Sequence, residues 1–399
     1  MRFLHVADLH IGKRLNGMSL AEDQQHILKA ISDIARDRHV DAVLIAGDIY
    51  DKASPSAEAV SLLDDFLTDL ARSGIRVLGV PGNHDSAERI AYAQSILAQQ
   101  GVCFPPVFDG QVERVGLSDE HGPVNVWLLP SLKPGDVRRF FPETEIGDDY
   151  GAALRAVLGA CDIDAAERNI VISHQFVTVS GADPERADDE IKLGGIDAVD
   201  ASVYDAFDYV ALGHVHRPQR VGRDTVRYAG SPLKYSFSEV RYDKSATLVE
   251  LGPKQPGDAT GACVSFELIP LEPLHDMREV RMSLDDLIEQ GRAAQDEEDE
   301  EARKQAFDYL HVTLTDEHPQ MDAMRKIHEL YPNAMALDYD NAAILQARDR
   351  VRTAVDPEKL DTVQLFATFY EEQAGEPMDE QQKQLVASLV RQIEGGDAR

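Results

Sequence analysis

Ala42-Val43-Leu44-Ile45-Ala46-Gly47-Asp48-Ile49-Tyr50-Asp51 is the stretch from which the fold of this chain is read. Five uninterrupted apolar residues match a parallel strand covered on both faces, since a strand with one wet face alternates. A glycine stops the run and a carboxylate follows at once. Residues 3–7 and 76–80 repeat the strand pattern on either side. Helices fill the gaps. Ser19 with Glu22 reads as a capping box ahead of Ile27, Leu28, Ile31 and Ile34 at helical spacing. Ser54-Pro55 opens a second helix, with proline at the tolerated first position. Ser86 precedes a third, carrying Ile90, Ala93 and Leu97. This βαβαβα alternation predicts a layered α/β fold.

Residues 124–130, 169–173 and 206–213 read as further core strands, and 252–262 as a breaker-rich loop between the last strands. A second unit begins near 275. Strands over 278–284, 308–315 and 334–340 alternate with helices over 285–294 and 321–331, giving a small α+β domain. Within it, the acidic run 296–301 is expected to be a solvated loop. Asp356-Pro357 then starts a helix with Leu360, Val363, Phe366 and Tyr370 on one face. A second helix carries Leu385, Leu389 and Ile393 and ends at Gly395-Gly396. This hairpin either packs on its own protein or docks elsewhere. The expected division is 1–274, 275–345 and 346–399.

The composition, 43% hydrophobic and 28% charged over 399 residues, is that of an ordinary globular protein. No apolar run of membrane-spanning length occurs, and Met1 leads directly into a strand pattern rather than a signal peptide. Cys103, Cys161 and Cys263 are single and widely spaced, without zinc-type pairing, which suits buried thiols in a reducing cytoplasm. The net charge of −31 opposes unaided binding to nucleic acid. Neither part is basic: residues 271–399 hold 30 acidic and 14 basic side chains. A protein so charged that acts on DNA needs metal ions, local cations or a partner to offset its field.

Five short motifs follow strand patterns, where ligands gather in open α/β sheets. They are Asp8-Leu9-His10, Gly47-Asp48-Ile49-Tyr50-Asp51, Gly82-Asn83-His84-Asp85, His174 after Ile172-Ser173, and Gly213-His214-Val215-His216. Each alone is weak, because a histidine after a strand is more often a polar cap than a ligand. Together they supply carboxylates, imidazoles and one amide oxygen, a set that suits Mn²⁺, Fe²⁺, Mg²⁺ or Zn²⁺. The absence of thiolate ligands argues against a structural zinc site. Gly47, Gly82 and Gly213 are expected to let the backbone turn sharply at the strand ends. His5, mid-strand, reads as a packed core histidine.

Over roughly residues 1–235 the series resembles the calcineurin-like metallophosphoesterase signature, which implies a β-sandwich flanked by helices. It also implies one metal held by Asp8, His10 and His216, a second by Asn83, His174 and His214, and Asp48 between them. Two such cations activate water for in-line attack on phosphorus. In that pattern His84 faces the scissile phosphate and serves the leaving group, with Asp51 or Asp85 as candidates to orient its ring.

Further stretches resemble the SbcD nuclease family: residues 3–13, Leu193-Gly194-Gly195, 207–219, and Tyr228-Ala229-Gly230-Ser231-Pro232-Leu233. The order of nuclease domain, small capping domain and C-terminal helices matches as well. The resemblance implies an Mn²⁺-dependent 3'-5' double-strand exonuclease and single-strand or hairpin endonuclease of DNA repair and recombination. It implies an SbcC-like SMC-type ATPase partner that helps hold the DNA and is docked by the C-terminal helices. It further implies a homodimer, with contacts near residues 55–72 and 86–99, inside a heterotetramer. Lys13, Arg14, Arg89 and Arg217 are candidate phosphate contacts. Archaeal and eukaryotic members carry histidine where Asp51 stands, so His84 is left as the main catalytic histidine. A small-molecule phosphodiesterase or phosphatase is the competing enzyme class, and a non-catalytic scaffold the other alternative. The region past 275 speaks against the former and the intact ligand set against the latter.

Overall fold

The computed structural model describes residues 1–179, 181–185, 197–296, 300–318 and 320–340, together with isolated positions between 366 and 390. Strands are labelled in chain order. They are β1 (Arg2–Val6), β2 (Ala42–Ala46), β3 (Arg76–Val80), β4 (Val102–Cys103), β5 (Glu113–Asp119), β6 (Gly122–Leu129), β7 (Arg168–His174) and β8 (Tyr209–Gly213). β9 (Gln219–Val221), β10 (Arg223–Tyr228), β11 (Ser245–Leu251) and β12 (Val264–Pro270) complete two six-stranded sheets.

The first sheet runs β12-β11-β1-β2-β3-β4, parallel from β1 to β4. The second runs β9-β10-β8-β7-β6-β5, with β6, β7, β8 and β10 parallel. The sheets face each other through one core. Ala42, Leu44 and Ala46 of β2 enter it from one side; Ile170, Ile172 and Ala211 enter from the other. Val43 and Ile45 point the opposite way, beneath the helices α1 (Ala21–Asp37) and α2 (Ala57–Arg72). The unbroken apolar run of β2 therefore reflects burial on both faces.

Helix starts differ from expectation. The Ser19–Glu22 capping box does not form: Leu20 is the cap of α1, and the Ser19 hydroxyl accepts the Ala21 N–H at 3.3 Å. α2 is capped by Ser56, whose hydroxyl accepts from Ala59 N–H, so Pro55 lies before the helix rather than in it. The expected single helix after Ser86 is broken into Ala87–Ile90 and Gln94–Leu97 at Ala93, which has φ +57°. The loop 252–262 joins β11 to β12 as expected.

β13 (Met277–Met282), β14 (Tyr309–Leu314) and β15 (Ala334–Tyr339) form a separate sheet, all parallel. Its helices are crossovers, so the strand–helix alternation resolves into βαβ units over a small core around Leu310, Val312 and Ile327. The acidic run is not simply a loop. Asp296 ends a helix begun at Leu284 and Glu300 opens another, with 297–299 outside the described residues. Near the C-terminus, described positions at 366–370 and 382–390 are helical, and Gln382 donates to the Tyr370 hydroxyl at 2.9 Å. Phe366 and Leu385 are exposed. Leu360, Val363, Leu389, Ile393 and the Leu193–Gly195 stretch lie outside the described residues. No described helix is long and apolar enough to cross a membrane.

Candidate metal centre

The parallel strands β1, β2, β3, β7 and β8 all end on one rim, and each delivers a motif there. The loops are stitched together by their backbones. Asp8 N–H donates to Gly47 O at 3.1 Å, and His10 N–H to Asp48 O at 2.9 Å. Asp8, His10, Asp48 and His214 all have positive φ, at 52°, 43°, 46° and 108°. Such backbone costs on the order of 1–3 kcal/mol per non-glycine residue and persists only where surroundings impose it. Here it aims each side chain inward.

The glycines act differently from expectation. Of Gly47, Gly82 and Gly213, only the first has positive φ, at 82°. Gly82 and Gly213 are required by close approach instead. A Cβ on Gly82 would lie 2.1 Å from Asp48 Oδ1, and one on Gly213 would lie 1.8 Å from the Ala46 carbonyl oxygen. Gly47 is doubly constrained, since its Cβ would meet the His174 ring at 2.2 Å.

The side chains of these motifs come together at the rim. Asp8, His10 and His216 form one close group and Asp8, Asp48 and His174 another. His10 Nε2 lies 3.2 Å from His216 Nε2. His174 Nε2 and His214 Nδ1 lie 3.0 and 3.1 Å from Asn83 Oδ1. Asp48 Oδ2 stands 3.8 Å from His10 Nε2 and 3.3 Å from His174 Nε2, between the two groups. Neighbouring ligands about 2.1 Å from one small cation are separated by about 3.0–3.4 Å, the spacing of all these pairs except the wider His10–Asp48 one. Oxygen and imidazole donors without thiolate complete the fit to divalent cations.

Partners outside the cluster fix the tautomers. His174 Nδ1–H donates to Ala46 O at 2.8 Å and His216 Nδ1–H to Glu239 Oε1 at 3.0 Å, which leaves both Nε2 atoms facing inward. His214 N–H donates to Asp8 Oδ1 at 2.9 Å. Burial raises the Asp8 carboxyl to about 6, against the pull of His174. Burial opposes charge on Asp48 too, but the neighbouring imidazoles of His174, His10 and His84 hold it well below the usual carboxylate range. Burial lowers His10 and His214, the latter to about 3. Burial also works against His174, yet Asp48 and Asp8 lift it to about 9.

His84 stands at the mouth, 44% exposed at its side chain, with Nε2 4.0 Å from Asp48 Oδ2. Its Nδ1–H donates to the backbone carbonyl of Asp51 at 3.0 Å. Neither expected carboxylate orients the ring. Asp85 accepts the N–H groups of Ile49, Tyr50 and Gly82 at 2.9–3.0 Å and so ties two motif loops together. The Asp51 carboxylate pairs with Lys13 at 2.9 Å.

Of the candidate phosphate contacts, Lys13 is therefore engaged. Arg217 is engaged too, paired with Glu185 and over the Tyr242 ring at 5.2 Å. Arg14 is exposed and donates to Gly17 O; Arg89 is exposed. His5 is a core histidine as expected, fully buried with Nδ1 3.0 Å from the Tyr209 hydroxyl.

Four residues at the site carried no sequence signal. Glu239 and Lys244 form a buried pair, and Lys244 donates to His216 O at 3.0 Å. The Tyr235 hydroxyl donates to Leu9 O, and the Gln24 amide donates to His10 O at 2.7 Å. None sits in a motif; only a buried glutamine on the apolar face of α1 is anomalous.

Two curated relatives are nearly collinear with the chain, each covering 98% of it and of itself. Both are the SbcD component of the SbcCD nuclease: that of Staphylococcus epidermidis is 28% identical over 393 residues, and that of Staphylococcus saprophyticus 27% identical over 401. Among solved structures, a dimetal phosphatase from Danio rerio is 15% identical, covering 68% of this chain and 99% of that one, with a TM-score of 0.40. The model described as Type 5 capsule protein repressor C-terminal domain matches residues 273–374. The calcineurin-like phosphoesterase model matches residues 1–218, the span that holds the seven converging side chains, and the chain belongs to that family.

Proposed function

We propose that this chain is the nuclease subunit of an ATPase-coupled DNA-processing complex, hydrolysing phosphodiesters at a centre of two divalent metals, Mn²⁺ by preference. The observation that carries this reading is a cluster of carboxylates and histidines at metal-binding spacing in a chain collinear with the SbcD component of the SbcCD nuclease over 98% of its length. Asp8, His10 and His216 would hold one cation; Asn83, His174 and His214 would hold the other, with Asp48 between them. Two bound cations supply a water of lowered pKa and offset charge on the phosphoryl oxygens. The chain's own residues do the rest. The Asp51 carbonyl fixes the His84 ring, so that Nε2 is the atom that holds and releases a proton toward the leaving oxygen. Asp85 keeps the loop bearing Asn83 and His84 against the loop bearing Asp48.

In this reading residues 1–274 are the nuclease domain, 275–345 a capping domain over DNA, and 346–399 a linker and helices docking an SMC-type ATPase. Two copies would pair within a cytoplasmic heterotetramer. Both 3'-5' exonuclease and hairpin endonuclease activity are expected. The acidic surface favours assisted DNA binding, since a net charge of −31 repels phosphate. The test is cleavage of a hairpin and of a blocked-end duplex with Mn²⁺, with and without the ATPase and ATP. Hydrolysis of small phosphodiesters with no DNA cleavage under any of these conditions would refute the proposal.

A further inference from the structure

Residues 234–239 lie between the metal centre and the small domain that starts at β13, and they contact the two in turn. Lys234 forms an ion pair with Asp276 at 2.8 Å, on the small-domain side. Tyr235 turns the other way: it is buried, its hydroxyl donates to Leu9 O, and its ring stands edge-on to His10 at 5.5 Å. Phe237 faces the small domain again, with its ring 5.3 Å from that of His311 on β14. Glu239 returns to the metal side, accepting from His216 Nδ1. The same division recurs one helix away. Asp23 accepts from the Tyr309 hydroxyl at 2.6 Å and from His275 N–H at 2.9 Å, while the next residue, Gln24, holds His10 O and Gly12 N–H.

We propose that residues 234–239 are a two-faced strap through which the seating of the small domain positions His10 and His216, one half of the metal centre. Resting on the metal-centre reading, the proposal extends it to control: a ligand or partner that shifts the small domain changes cation affinity at that half. The physical reason is short leverage. Neighbouring residues of one tight segment cannot move independently, and Glu239 is locked by Lys244 and His216 in a buried site. Loss of the outer contacts therefore reaches the imidazoles as a change of ring orientation rather than being absorbed by solvent-exposed chain. Lys234, Phe237 and Asp276 touch no ligand themselves and act as positioning residues.

The experiment is calorimetric titration of the full-length protein with Mn²⁺ alone, counting sites and affinities. Three variants carry it: Lys234→Ala, Phe237→Ala, and Phe237→Tyr, which keeps a ring against His311. The expected result is that both alanine variants weaken one of the two sites by about tenfold, the range seen when outer partners of metal-bound histidines are removed. The other site keeps its affinity and Phe237→Tyr restores the first. Arg281→Ala breaks an exposed ion pair with Asp340 inside the small domain and serves as the control; its affinities match the parent. Equal two-site binding by the parent and both alanine variants overturns the strap and leaves the metal centre standing. Equal weakening of both sites, or weakening in Arg281→Ala, also overturns it, as that pattern marks general loosening. A parent chain that binds no Mn²⁺ refutes the metal centre itself, and the strap with it.

Discussion

Gly213→Ala adds one methyl group where β8 of one sheet faces the Ala46 carbonyl of the other. Its Cβ would fall 1.8 Å from the Ala46 carbonyl oxygen and 2.9 Å from His174 Nδ1. A carbon and a carbonyl oxygen need more than 3 Å, and the obstacle is backbone in a buried strand, so no rotamer change relieves the clash. Overpacking of this kind costs about 1–3 kcal/mol. A second loss adds to it, because the Ala46 carbonyl is the acceptor for His174 Nδ1–H at 2.8 Å. Leaving that buried donor unpaired costs about 1–3 kcal/mol more. The sum, roughly 2–6 kcal/mol, corresponds to a fall in Tm of about 5–15 °C for a domain of this size. Since His174 loses its orienting partner, Mn²⁺ affinity should drop by about 10–100-fold at the site it serves. Thermal melts in chelator give the first quantity and calorimetric titration the second. Gly116→Ala, where an added Cβ meets nothing within 4 Å, should change neither. A Gly213→Ala protein that melts with its parent and binds two Mn²⁺ at unchanged affinity would refute the reasoning.

His84→Ala should retain both metals by elemental analysis while turnover falls by about 10²–10⁴-fold; loss of metal would mean that the ring is a ligand. His5 links stability to acid. Burial pulls its pKa from 6.5 to about 3, so between those values the unfolded chain binds a proton that the folded one refuses. Stability is full above pH 6.5 and declines as pH falls toward 3, by at most about 5 kcal/mol from this group. Denaturant melts of His5→Gln from pH 7 to 4 should show a shallower acid limb, and an unchanged limb would sink the assignment. Deletion of 355–399 should abolish capture of the SMC-type ATPase in a pull-down with purified components; undiminished capture would remove the docking role of these helices.

The β2 run was enough to identify a doubly covered parallel strand, because burial on both faces leaves a local mark in the composition of five residues. The strands before His174 and His214 carry shorter apolar stretches, Ile170-Val171-Ile172 and Val210-Ala211-Leu212. Helix starts were less legible. Ser19, Ser54 and Ser56 are all competent caps, and the choice depends on where the chain leaves the sheet rather than on the serine itself. Asp85 and Asp51 were legible as site residues but not by role, since only the folded loops show that one carboxylate gathers backbone N–H groups and the other a lysine.

The sequence by itself determined the α/β class, the motif order and the stock of carboxylates and imidazoles at the strand ends, for these follow from periodicity and residue chemistry within a few positions. Tertiary structure alone decided which imidazole nitrogen faces inward, why Gly82 and Gly213 admit no Cβ, and that Glu239, Lys244, Tyr235 and Gln24 hold the ligands. Each of these rests on a contact between atoms far apart in the chain. His216 and Glu239 are 23 residues apart and Gly213 and Ala46 lie on different sheets, so no local pattern records that they touch.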